Sequence, residues 1–95
     1  MRLNQVTVPA LDVEASVAFY RGLGLRLIVS ALPRYARFEC PDGDSTFSLH
    51  QVQQSPAGPG AIVYFECESL DNKVSELKAL GYQFTQDPKE EPWLW

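Results

Sequence analysis

The strongest constraint on this 95-residue chain is that it nearly repeats itself. A shift of 57 positions aligns Val6 with Val63, Val8 with Phe65, Val13 with Leu70, Val17 with Val74, Tyr20 with Leu77, Leu23 with Leu80 and Gly24 with Gly81, without a gap. Ser69 falls where Asp12 stands. Self-similarity of this kind marks one supersecondary unit used twice, each copy unable to close a core by itself.

The first copy spells out what that unit is. In NQVTVP, Val6 and Val8 fall on one face and Gln5 and Thr7 on the other, the period of a strand with one buried side. A helix follows: Asp12 caps it, Val13, Val17 and Tyr20 form one stripe, and Gly24 stops it. Alternation returns in LRLIVSA, RYARFEC and STFSLHQV, the last two joined by the turn residues PDGD. The loop QQSPAGPG breaks regular structure, and AIVYFEC then restarts the pattern as a strand leading into a second helix.

The predicted architecture is therefore α+β. A first βαβββ module occupies residues 1–53, a linker 54–60, and a truncated second module 61–95, all within one domain. The shift carries Trp95 onto Phe38 in the third strand, so the second copy lacks the end of that strand and all of a fourth. Either these residues are a fragment of a longer chain, or a second chain covers the open edge. Trp93 and Trp95 are expected to pack against the sheet or a partner, because exposed indoles at a chain end are costly in water. Core positions expected from the stripes are Val13, Val17, Tyr20, Leu70, Val74 and Leu77, with Phe19 in the core or an interface.

Charge and composition exclude several functions. A net charge of -4 and no cluster of Lys and Arg argue against an electrostatic hold on nucleic acid or an anionic membrane. No apolar run approaches the roughly 20 residues of a membrane span, and the start has no signal-peptide core, so a soluble cytoplasmic protein is expected. Cys40 and Cys67 lack the close spacing of a zinc or redox motif and read as reduced, half-buried strand residues. No phosphate-binding glycine loop, nucleophile elbow or paired-carboxylate motif appears.

Paired βαβββ modules, the opening VTVPALDVEASVAFYRGLGL, the strand TFSLHQV and the helix LDNKVSELKALG resemble the vicinal oxygen chelate superfamily, which includes glyoxalase I, extradiol dioxygenases and bleomycin-resistance proteins. The most specific part is an S-x-x-F-Y helix, Ser16 to Tyr20, closed by G-L-G-L, with the module repeat at the right distance. The resemblance implies two modules curling their sheets into a cup. It also implies a divalent metal (Zn, Ni, Mn or Fe), absent in members that only bind a ligand, with one ligand each from the first and fourth strands of each module.

Carried onto this chain, the first-strand ligand position falls on Gln5, whose amide oxygen can serve a hard ion. The fourth-strand position falls on Ser48, with His50 two residues on and on the same face. The first strand of the second module places Ile62, which cannot ligate, where a histidine often stands, and the fourth position lies beyond Trp95. Gln5 and His50 are thus the candidate metal ligands. His50 has the pKa range for proton transfer, and Glu66, on the same side as Tyr64, is the candidate base. Gln5, Ser48, His50 and Tyr64 are candidate substrate contacts. Arg34, Tyr35 and Arg37 have the chemistry to hold an anion but read as charges that keep a hairpin edge soluble.

Two functions from different classes follow from the resemblance. In the first, a metal-dependent lyase, isomerase or dioxygenase uses the ion to polarise its substrate. In the second, a metal-free cup binds a small antibiotic-like molecule against Tyr64, Tyr35 and the tryptophans, as a resistance protein would. Both imply a small-molecule partner and a homodimer, the economical way to cover open edges.

Overall fold

The computed structural model describes residues 1–58 and 60–89. Trp93 and Trp95, and the packing expected of them, lie outside the described residues. The chain divides into two compact units, Met1–Ile62 and Val63–Trp95.

The first unit is a complete βαβββ module. Strand β1 runs Gln5–Ala10, helix α1 Val13–Leu23, and strands β2, β3 and β4 Arg26–Ala31, Tyr35–Glu39 and Thr46–Gln51. They form one mixed sheet in the order β1-β4-β3-β2, with β1 parallel to β4 and the other neighbours antiparallel. Pro9, which has no N–H to give a ladder, is tolerated because β1 is an edge strand. Between Leu27 and Val29 the β2–β3 register slips, so Ile28 is a bulge and Val29 lies opposite Arg37.

Helix α1 forms as its sequence predicts. The Asp12 carboxylate accepts the Ala15 N–H at 3.0 Å, and Gly24 closes the helix in the left-handed region at φ 109°, a conformation that costs a side-chain-bearing residue about 1 kcal/mol or more. Val13 and Val17 are buried, and across from them Ala36, Phe38, Phe47 and Leu49 are 0–2% exposed. The Tyr20 ring meets Phe47 at 4.7 Å and Phe38 at 6.0 Å between centroids, and its burial raises the phenol pKa. Each large side chain in this core contributes about 1.5–3 kcal/mol of apolar burial.

The second unit holds helix α2, Leu70–Ala79, which begins at the residue the 57-position shift requires. Gly81 likewise repeats Gly24, at φ 99°. Val74 and Leu77 are buried. Two expectations fail here. The stretch AIVYFEC forms no strand, and none is formed among the described residues of this unit. In the first unit β1 is held in a ladder by β4, whereas no strand follows β4 among the described residues for 61–67 to join. Leu70, expected in the core, is 54% exposed, because no described strand of its own unit lies beneath it as the sheet lies beneath Val13. Phe19 is also half-exposed. No helix among the described residues is long and apolar enough to cross a membrane.

Candidate functional site

The face of the sheet turned away from α1 is polar, and its composition follows from the strand period. Since Ala36, Phe38, Phe47 and Leu49 point to the helix, their neighbours Tyr35, Arg37, Glu39, Thr46, Ser48 and His50 must point the other way. The registers arrange these residues in rows across the strands. One row runs Gln5, Thr46, Glu39, Arg26; the next Thr7, Ser48, Arg37, Val29; the third Pro9, His50, Tyr35, Ala31.

Ser48 is the hub. It is fully buried although it lies on the polar face, and every lone pair and proton it owns must therefore find a protein partner. Its hydroxyl lies 2.6 Å from Thr7 Oγ1 and accepts from Gln5 Nε2 at 3.1 Å. Gln5 Oε1 in turn accepts from Thr46 Oγ1 at 3.0 Å. No buried side-chain nitrogen or oxygen among the described residues is left without a partner. On the other flank Arg37 Nε donates to Tyr35 Oη at 3.0 Å, with the guanidinium carbon 5.8 Å from the Tyr35 ring centroid. The Tyr35 phenol is drawn below the ordinary tyrosine range, first by the Ser48 hydroxyl beside it, against some desolvation, and then by Arg37 and Gln5. At the end of the face Arg26 holds Glu39 at 2.6 Å.

Gln5 and Ser48 are thus brought together, and His50 shares their face but not their position. His50 lies four residues beyond Thr46, the partner of Gln5, about 13 Å along the strand at roughly 3.3 Å per residue. It is exposed, opposite Tyr35. Tyr64, 87% exposed, and Glu66, also exposed, belong to the second unit, as does the start of the segment that follows Ile62. Cys40 and Cys67 are free and half-buried as expected, and burial, then the charge of Asp42, raises the Cys40 thiol pKa.

The donors of this face do not suit a divalent ion. The Gln5 carbonyl oxygen already takes the Thr46 proton, the hydroxyls are bonded to one another, and the only carboxylate in the rows, Glu39, is held by Arg26. An ion beside Ser48 would also sit next to the Arg37 guanidinium. Among the described residues no three His, Cys, Asp or Glu side chains are grouped to hold a metal.

One sequence expectation about this face is overturned. Tyr35 and Arg37 do not guard an edge, because β3 is an inner strand flanked by β4 and β2. Thr7 and Thr46, which the strand period places on the faces of Gln5 and of Ser48, belong to the network although the sequence does not single them out as site residues. Their one signal was the threonine content of the polar alternation in β1 and β4, which does not reveal that the two strands are neighbours.

The likeness to other proteins spans the whole chain. The crystal structure of a glyoxalase/bleomycin resistance protein/dioxygenase from Nocardioides is 29% identical, covering 98% of this chain and 70% of that one, with a TM-score of 0.74. A bleomycin resistance determinant encoded on transposon Tn5 is 17% identical over 98% of this chain and 82% of its own, with a TM-score of 0.76. A lactoylglutathione lyase from Agrobacterium tumefaciens is 18% identical over 98% of this chain and 79% of its own, at 0.71. These last two share the fold alone. No curated protein matches the chain. The family model for the glyoxalase/bleomycin resistance protein/dioxygenase superfamily matches residues 2–94, and together with the βαβββ sheet this establishes that the chain belongs to that superfamily.

Proposed function

We propose that this chain is a metal-free member that binds a small organic molecule on the polar face of the β1-β4-β3-β2 sheet. The observation that carries the reading is the donor set. A patch of hydroxyls and one amide, satisfied among themselves around buried Ser48, is bordered by Tyr35 and Arg37 and has, among the described residues, no grouping of carboxylates and histidines. Such a surface offers fixed hydrogen bonds and an aromatic ring rather than Lewis-acid chemistry. The superfamily includes bleomycin resistance proteins, and this is the ground for taking the molecule to be antibiotic-like. Gln5 and His50 are the ligand contacts proposed in the first unit, and Ser48, fully buried, acts through its bond to Gln5.

The test is elemental analysis of the purified protein joined to a ligand screen followed by amide chemical shifts. Protein free of stoichiometric metal, with ligand-induced shifts at Thr7, Tyr35, Arg37 and Ser48, is the expected result. Near-stoichiometric Zn, Ni, Mn or Fe, lost in Gln5→Ala and His50→Ala, would instead assign the chain to the lyase, isomerase or dioxygenase class with Glu66 as the base. A cytoplasmic homodimer goes with this proposal. Strands β1 and β2 each have one side without a ladder partner among the described residues, the kind of edge a second copy covers, and sedimentation equilibrium measures it.

A further inference from the structure

We infer that the Arg37–Tyr35 pair is an anion-recognition point, and that the ligand of this face carries a carboxylate. The inference rests on the small-molecule reading above and adds the chemical class of the ligand.

Three observations converge on it. Arg37 stands on an inner strand, in the row between Ser48 and Val29, where a charge does not serve to keep a sheet edge soluble. Its guanidinium has no ion-pair partner among the described residues, whereas Arg26, at the β2 end of the neighbouring row, is matched to Glu39. One of its five N–H donors, that on Nε, is spent on the Tyr35 hydroxyl, which steadies the side chain and leaves the planar fork of Nη donors for a carboxylate. The remaining groups on the face agree in sign. Glu39 is neutralised by Arg26, and the other row members are the uncharged Gln5, Thr7, Thr46, Ser48 and Tyr35, with His50 at the far end. In a chain of net charge -4 this face therefore carries a local cation and no unmatched carboxylate among the described residues. The Tyr35 ring beside the guanidinium favours an acid attached to a flat apolar body, which stacks while the carboxylate meets Arg37.

The experiment titrates the full chain with naphthoate and, separately, with its neutral analogue naphthamide, followed by amide chemical shifts in wild type, Arg37→Gln and Arg37→Lys. The expected result is naphthoate binding at least about tenfold tighter than naphthamide and weakening as salt is raised. Arg37→Gln should abolish that preference and Arg37→Lys should restore part of it, all with an unchanged dispersion of the remaining amides. Naphthamide binding the face as tightly as naphthoate would overturn the carboxylate inference and leave the small-molecule reading standing. So would a preference that survives in Arg37→Gln. Binding of neither probe to this face would overturn both. Should Arg37→Gln fail to fold, the salt dependence and the Arg37→Lys preference decide the matter.

Discussion

The two copies of the repeat agree in their helices and part company in their strands. Helices α1 and α2 start 57 residues apart, at Val13 and Leu70, and each is followed by a glycine at positive φ, Gly24 and Gly81. The alternating stretches Gln5–Ala10 and 61–67 share the same pattern, yet only the first is a strand. The difference lies in how each element satisfies its backbone. A helix closes its hydrogen bonds within itself, from N–H to the carbonyl four residues back. A strand needs a neighbour, and β1 has β4. Even the helices are not equals, since Asp12 caps α1 through its side chain whereas Ser69, at the matching position, makes no side-chain cap bond.

That comparison can be broken in several ways. The largest contrast should appear in amide hydrogen exchange, where β3 and β4 amides are expected to exchange slower than those of 61–67 by a factor on the order of 10³ or more. Comparable protection in the two stretches would mean that the second has found a ladder. Next comes the core under α1: Phe38→Ala or Phe47→Ala should cost about 3–5 kcal/mol in urea unfolding, because each ring is almost wholly buried against Tyr20. A loss under about 1 kcal/mol would show that the sheet is not the centre of stability.

The caps sharpen the contrast between the helices. Asp12→Ala should cost about 1 kcal/mol and Ser69→Ala only a few tenths, measured by the same unfolding experiment. Equal losses would remove the asymmetry. Smaller again is the effect of pH on the polar face. Tyr35 has a depressed folded-state pKa, so its contribution to stability is present above the unfolded tyrosine value and is lost as pH falls through the folded value, leaving none at neutral pH. Ultraviolet titration should show one phenol ionising early, a step that disappears in Tyr35→Phe and moves upward in Arg37→Gln. Least of all, Ile62→Ser should change stability by no more than about 0.5 kcal/mol, since Ile62 is 72% exposed where its counterpart Gln5 is engaged in the Ser48 network.

Much of the site was visible residue by residue and hidden as a group. The period of two put Gln5 and Thr7 on one face and Thr46, Ser48 and His50 on another, but alternation does not say which strand lies beside which. His50 joins Gln5 as a candidate ligand because it shares the face of Ser48, two residues before it, and a shared face does not give the distance across strands. The parallel register instead set Gln5 beside Thr46 and Ser48 and left His50 opposite Pro9. Arg37 is hidden for a related reason: a charge on a hairpin strand reads as edge protection until the sheet order shows that the strand is internal.

What the sequence by itself determined is the local and periodic part: the repeat, both helices with their glycine stops, the four strands of the first module and the buried stripe of Val13 and Val17. These rest on capping, turn chemistry and side-chain period, which act over a few residues. Only the tertiary structure decided that β1 joins β4, that 61–67 forms no strand, and that Ser48 becomes a buried hub beside Arg37 and Tyr35. Strand pairing is a contact between distant segments, its register is not written in either strand alone, and the chemistry of a sheet face depends on that register.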